Sequence, residues 1–252
     1  MSRKRDKLFT LYGRKPALEA LESLDVPVVK VWLADNARGE IVERIAARAR
    51  ERGAAVERTS PQNVSRISGN GRQDQGVAVD VAPPLFDSAE THFAALKTDE
   101  QPLMYAAFDR LTTPANLGLC IRTGLGAGVA GFVVPYRGVC ELNAMVVKAS
   151  AGTALRARIL RCLRAEEGIA AAKNAGLTVV GLNARATQNI YQAEIPPRVL
   201  WVLGGESEGY SPAVRALADL ELAVPMLATV SSLNVATACA VVVYEFFRRY
   251  LL

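Results

Sequence analysis

The sequence predicts an α/β protein, with a small α/β domain in front of a larger one built on a mostly parallel sheet. Two observations predict this. Apolar, β-branched runs alternate along the chain with stretches whose apolar residues recur at helical spacing. Several of the later runs are apolar throughout, the pattern of strands covered on both faces. A third observation divides the chain. Pro83 and Pro84 cannot continue a central strand and mark a boundary.

In the first section, residues 16–23 read as a helix with proline near its start, where a missing N–H costs little. Residues 28–33 are β-branched and read as a strand. Residues 40–52 carry Ile41, Ile45 and Ala49 at helical spacing, and Gly53 ends that helix as a C-cap. A strand at 54–57, a helix at 62–67 and a strand at 76–81 complete the unit. The expected division is a first domain over 1–85 with a basic tail at 1–8, a linker over 86–100 containing a helix at 87–96, and a second domain over 101–252. In that last domain the strand candidates are 103–108, 131–134, 177–182, 199–203 and 220–224. The helix candidates are 116–127, 143–149, 166–175, 212–218 and 233–250.

Composition excludes several classes. Of 252 residues, 50% are apolar and 22% charged, the balance of a packed globular chain. No apolar run approaches the ~18 residues of a membrane span. The basic N-terminus has no apolar core behind it, so it does not read as a secretory signal, and a cytoplasmic location is expected. Cys120, Cys140, Cys162 and Cys239 are scattered and His92 is the single histidine. Neither a zinc site nor a disulfide framework is expected, and no metal-ligand spacing occurs. The cysteines read as small buried apolar residues. The net charge is +5, and residues 1–85 hold 15 Lys/Arg against 11 Asp/Glu. That excess points to an anionic partner, nucleic acid first, or to a merely solvated terminus. A second basic cluster, Arg156, Arg158, Arg161 and Arg164, reads as an RNA contact or as a solvated face.

Gly126, Gly128 and Gly131 fit G-x-G-x-x-G, but the context is wrong for a dinucleotide fold. The fingerprint must follow a strand and open a helix, whereas here it follows a helix and precedes a strand. These glycines read as a helix end and a tight turn, against a nicotinamide-binding oxidoreductase.

Three segments carry the chemistry. The first, FDRLTTPANLGLCIR at 108–122, runs from a strand end into a helix that Asn116 can cap. Arg122 lies six residues on, where open α/β sheets bind ligands, or is simply a surface residue. The second, VLWVLGGESEGYSP at 199–212, runs from a buried strand into a glycine-rich loop. Gly204 and Gly205 permit close backbone approach, and Ser211-Pro212 opens a helix. Glu206 and Glu208 repel phosphate, so the loop suits a cationic or hydroxyl-rich ligand, unless it is a plain turn. The third, LAVPMLATVSSLNVATA at 222–238, ends a strand and starts a long helix that Ser231 or Ser232 can cap. Asn234 reads as a polar side chain aimed into a site or as a second cap.

Together these segments resemble the three signature motifs of the SpoU (TrmH-like) branch of the SPOUT methyltransferases. The likeness covers N-L-G-x-x-x-R at 116–122, L-G-x-E-x-E-G at 203–209, and V-P-M through S-S-L-N-V-A at 224–236. YGRKPALEAL at 12–21 and QGVA at 75–78 are similar to that branch's N-terminal substrate-binding domain, whose fold is similar to a small ribosomal-protein family. The resemblance implies a deep trefoil knot near the C-terminus, S-adenosylmethionine as cofactor, and a homodimer. It implies that Gly204, Val224 and Leu233 contact the cofactor, chiefly through backbone. Asn116, Arg122, Glu206, Ser232 and Asn234 would form the reactive site. The implied reaction is methyl transfer to a ribose 2′-hydroxyl of RNA, first a guanosine of large-subunit rRNA, with tRNA as the alternative. Two positions depart from the usual G-N-E-G-E-G: Gly205 stands for Asn and Ser207 for Gly. An RNA-binding homologue impaired in catalysis is the rival reading they support. The resemblance also assigns proton removal to Arg122. A guanidinium stays protonated in proteins, so we expect Arg122 instead to hold a phosphate and stabilise the developing alkoxide.

Overall fold

The structure is a computed structural model describing residues 8–24, 26–82, 86–97, 101–205, 208–227 and 229–252. The chain divides into two compact units, one built from residues up to 84 with 142–156, the other from 85–141 with 157–252.

The first unit contains β1 (Phe9–Tyr12), α1 (Arg14–Glu22), β2 (Val28–Ala34), α2 (Glu40–Glu51), β3 (Ala55–Thr59), α3 (Pro61–Ser68) and β4 (Val77–Val81). Its sheet runs β1-β4-β2-β3, antiparallel except for β2 with β3. Val31, Leu33, Val77 and Val79 meet Leu21, Val42 and Ile45 in a core where each is at most 2% exposed. Each such side chain contributes about 1.5–3 kcal/mol on burial. Arg52, just beyond α2, closes the C-terminal end of α1. Its guanidinium donates to the carbonyls of Ala20, Leu21, Ser23, Leu24 and Val26 at 2.5–3.3 Å. Ala20 and Leu21 are acceptors the last turn of α1 leaves without intrahelical partners, and the others belong to the chain that follows it. β1 was not foreseen, because the sequence reading began its structured elements at residue 16.

The second unit holds β5 (Asp87–Ser88), α4 (Ala89–Ala94), β6 (Leu103–Phe108), α5 (Pro114–Gly126) and β7 (Phe132–Val133). The chain then contributes α6 (Ala144–Ala149) to the first unit, where Val147 and Leu155 join the core and Lys148 bonds Gln73 at 2.7 Å. Back in the second unit come β8 (Ile159–Arg161), α7 (Ala165–Asn174), β9 (Thr178–Leu182), β10 (Gln188–Asn189), β11 (Arg198–Leu203), α8 (Pro212–Arg215), β12 (Leu220–Ala223) and α9 (Val235–Tyr250). All eight strands are parallel, in the order β10-β12-β9-β11-β6-β7-β8-β5. The central pair, β6 and β11, is buried almost throughout, which is why both sequences are apolar on every residue but Arg198. α5 ends at Gly126 and β7 opens after Gly131, so the glycine triplet turns a helix into a strand. The stretch 87–94, expected within a linker, supplies β5 and α4, which pack on β8 and α7. Among the described residues no helix is long and apolar enough to cross a membrane, and all four cysteines are unbridged.

α9 is anchored by one carboxylate. Glu245, 7% exposed, accepts from Arg248 at 2.8 and 2.9 Å and from Arg249 at 2.7 Å. Arg249 reaches on to the carbonyls of Ala193 and Ile190 at 2.7 and 2.9 Å. The Arg248 hydrogen bonds, joined by those of Arg249, hold the Glu245 carboxyl down at about 2. Its folded-state pKa lies below the ordinary 4.5, so the stabilisation is present above that value and is lost as pH falls toward 2. Glu245→Gln should flatten this acid limb, read as urea midpoints of both proteins at acid and neutral pH. Arg52→Ala should lower unfolding free energy by about 2 kcal/mol, with Arg52→Lys recovering only part, because one ammonium cannot span five carbonyls.

Candidate active site at the carboxyl edge of the sheet

β6 and β11 pair in parallel along their whole length, ending at Phe108 opposite Leu203. The two segments that leave them therefore emerge side by side on one edge, where open parallel sheets bind ligands. From β6 comes Asp109-Arg110, and from β11 comes Gly204-Gly205.

The glycines are required by space. A Cβ on Gly204 would lie 2.2 Å from the backbone of Gly209 and Tyr210, and one on Gly205 would lie 2.4 Å from the carbonyl oxygen of Arg110. Gly205 and Gly209 bond each other reciprocally, N to O, at 3.2 and 3.0 Å, closing a small loop. Arg110 adopts φ +56°, a left-handed conformation rare outside glycine, and its guanidinium meets the Glu208 carboxylate at 2.6 Å. Both side chains are exposed, so this ion pair orients the loop more than it stabilises it. The buried carboxylate of Asp109 accepts from the backbone N–H of Ser211 at 2.7 Å, and the Ser211 hydroxyl caps α8. Residues flanking each strand exit thus lock the other.

Behind the loop, Tyr210 is 4% exposed and its hydroxyl donates to Glu221. Asn183 donates to the same carboxylate at 3.3 Å and Arg215 lies 3.4 Å from it. Burial first, then the Glu221 hydrogen bond and charge, push the Tyr210 phenol well above its ordinary range. It therefore stays protonated at neutral pH and serves as a donor.

A cavity of about 720 Å³ opens on this edge, lined among others by Gly204, Glu208, Tyr210, Val224, Ser232 and Leu233. Its size suits a ligand of several hundred Å³. Of the residues expected to hold the cofactor or react, Gly204, Val224, Ser232 and Leu233 thus line this one cavity. Asn116 and Asn234, 118 positions apart, are joined by a 3.1 Å hydrogen bond from Asn234 Nδ2 to Asn116 Oδ1. Arg122 stands exposed on α5. Glu206 and Ser207 lie outside the described residues.

Two local expectations are corrected. Asn116 does not cap α5, because Thr113-Pro114 starts the helix earlier with proline at the position that needs no N–H; Asn116 is a buried residue inside it. Asn234, not Ser231 or Ser232, caps α9, accepting from Ala236 N at 2.9 Å. The four arginines of the basic cluster fall on different elements. Arg156 belongs to the first unit, Arg158 precedes β8 and pairs with Asp87, and Arg161 closes that strand. Asp109, Arg110, Tyr210 and Glu221 were not singled out, although a polar residue directly after an apolar strand was available as a marker.

Comparison with known proteins bears on this site. Residues 104–244 match the model of the SpoU rRNA Methylase family, and residues 10–86 match that for RNA 2′-O ribose methyltransferase substrate binding. An uncharacterized tRNA/rRNA methyltransferase of Mycolicibacterium vanbaalenii is 30% identical over 249 residues, 98% of this chain and 78% of that one. The crystal structure of the SpoU methyltransferase AviRb from Streptomyces viridochromogenes, in complex with AdoMet, matches with a TM-score of 0.78 at 24% identity, covering 99% and 92% of the two chains. An AdoMet-bound rRNA methyltransferase from Sinorhizobium meliloti matches at 0.77 and 23%, covering 99% and 90%. With its strand exits, glycine loop and paired asparagines accounted for, the chain belongs to the SpoU rRNA methylase family and is a methyltransferase of that family.

Proposed function

We propose that the protein transfers a methyl group from S-adenosylmethionine to a ribose 2′-hydroxyl of RNA, with a guanosine of large-subunit rRNA as the favoured target and tRNA as the alternative. The observation that carries the reading is the one cavity lined by Gly204, Val224, Ser232 and Leu233, the last of these next in the chain to Asn234 of the Asn116–Asn234 pair. The matches to a substrate-binding model and to AdoMet-bound structures support it.

The residues fit the cofactor. Gly204 and Gly205 let the two strand exits close on each other with no side chain between them, and the cavity they border carries both polar and charged lining, Glu208 and Glu221 beside Arg185 and Arg215, for a ligand that bears charge of both signs. Gly204, Val224 and Leu233 would hold it, chiefly through backbone. When bound, S-adenosylmethionine supplies a methyl group on a cationic sulfur, already activated for transfer. The chain's own residues must then orient the ribose and help its hydroxyl lose a proton. Arg122 would grip the adjacent phosphate and stabilise negative charge developing on the ribose oxygen. Asn116, Ser232 and Asn234 would position the ribose, with Glu206 beside them. The same reading carries a trefoil knot near the C-terminus, a first unit that holds RNA, a cytoplasmic location and a homodimer. Leu119 on α5 and Tyr244 on α9, 41% and 48% exposed, offer apolar surface for pairing.

The rival reading, an RNA-binding homologue without catalysis, drew on Gly205 and Ser207. At Gly205 the geometry gives that departure another cause, since an asparagine there would press on the Arg110 carbonyl.

Labelled methyl transfer to rRNA and tRNA from cells lacking the protein tests the proposal. Wild type should label one RNA class. Arg122→Ala should fall by about a hundredfold or more, while full activity in Arg122→Lys would exclude a two-pronged grip by the guanidinium. Gly205→Ala should weaken S-adenosylmethionine binding about tenfold, the effect of overpacking by 1–3 kcal/mol, measured by calorimetry. RNA affinity should fall linearly with salt on logarithmic axes, as phosphate contacts require.

A further inference from the structure

On the same carboxyl edge, one strand beyond β6, the backbone after β7 is pinned to the chain leaving β8. Val134, Tyr136 and Arg137 donate their N–H groups to the carbonyls of Leu160, Cys162 and Leu163 at 2.9–3.1 Å. On this fixed backbone the Tyr136 ring is 59% exposed. The Arg161 guanidinium lies 4.0 Å from its centroid, with the Phe86 ring at 5.5 Å. Arg161 Nε and one terminal nitrogen, NH1, are buried and have no hydrogen-bond partner among the described residues. Leaving a cation's donors without partners is costly, and ring contact offsets part of that cost. The cation is thus committed to the rings and not to a carboxylate.

We propose that Tyr136, backed by Arg161, is a stacking platform for an unpaired nucleobase of the RNA substrate, next to the nucleotide that is methylated. This rests on the functional reading above. A base on the outer face of Tyr136 would extend the stack, a sequence-tolerant interaction used to hold single strands. Arg137, exposed and next in the chain, would offer charge to an adjoining phosphate. β7 lies two strands from β11, about 10 Å along the edge at ordinary strand spacing. The platform therefore adjoins the glycine loop and is not a remote surface. None of these residues lines the cavity assigned to the cofactor.

The test uses the full chain and a short unstructured RNA oligonucleotide containing 2-aminopurine, whose fluorescence is quenched on stacking. Wild type should bind and quench. Tyr136→Ala should bind about tenfold more weakly or worse and lose the quench, as truncating a base-stacking aromatic does. Tyr136→Phe should keep both, and S-adenosylmethionine affinity should be unchanged in each variant. If the alanine variant loses cofactor affinity, Tyr136→Leu replaces it, keeping apolar bulk without an aromatic face. Quenching that survives Ala or Leu, or that is lost equally in Phe, overturns the platform. A wild type that methylates RNA while Tyr136→Ala does so with unchanged KM overturns the platform alone. A wild type that binds no RNA overturns the functional reading and the platform with it.

Discussion

The second unit depends on the parallel, fully registered pairing of β6 with β11. Nearly 100 residues separate these strands, and six consecutive residue pairs hold them in step. Because they are parallel, the motif after each must leave on the same edge. Because the register is fixed, Asp109 reaches the Ser211 backbone and Arg110 meets Gly205 without a further device. Slipping a strand by one residue would turn each buried side chain to the opposite face and separate both contacts. The burial of Trp201, Tyr105 and their neighbours thus fixes the glycine loop, although none of them touches it polarly.

That coupling also explains the unusual glycine at 205. The left-handed Arg110 carries its carbonyl to within 2.4 Å of where a Cβ on Gly205 would stand. The strained residue and the missing side chain are two halves of one accommodation. The backbone gains a close approach between the first and second motifs, while a side-chain amide is given up.

The architecture was legible where elements are long. The strands at 103–108 and 199–203 were placed within one residue, as buried apolar runs permit. β5, β8 and β10, of two or three residues, are too short to display any period, and pairing alone defines them. The glycine loop was readable because backbone chemistry is local. The Asn116–Asn234 and Asp109–Ser211 bonds join residues more than 100 positions apart, and no window of sequence contains both partners. Asn234 shows the limit well. Cap and site residue were weighed as alternatives, and its amide does both things a neutral amide can: Oδ1 accepts from the helix and Nδ2 donates to Asn116.

The detour of residues 142–156 has a consequence for how the polypeptide matures. Val147 and Leu155 belong to the first unit's core, yet they are made only after β5, β6 and β7 have been translated. A nascent chain released as far as residue 85 lacks both plugs, so the leading unit cannot be complete until residue 156 has been made. Excision at the proline boundary likewise removes two core side chains from the excised piece and leaves an apolar excursion on the remainder. The leading unit is therefore encoded in two separated stretches, and its completion waits on the first half of the unit that follows it.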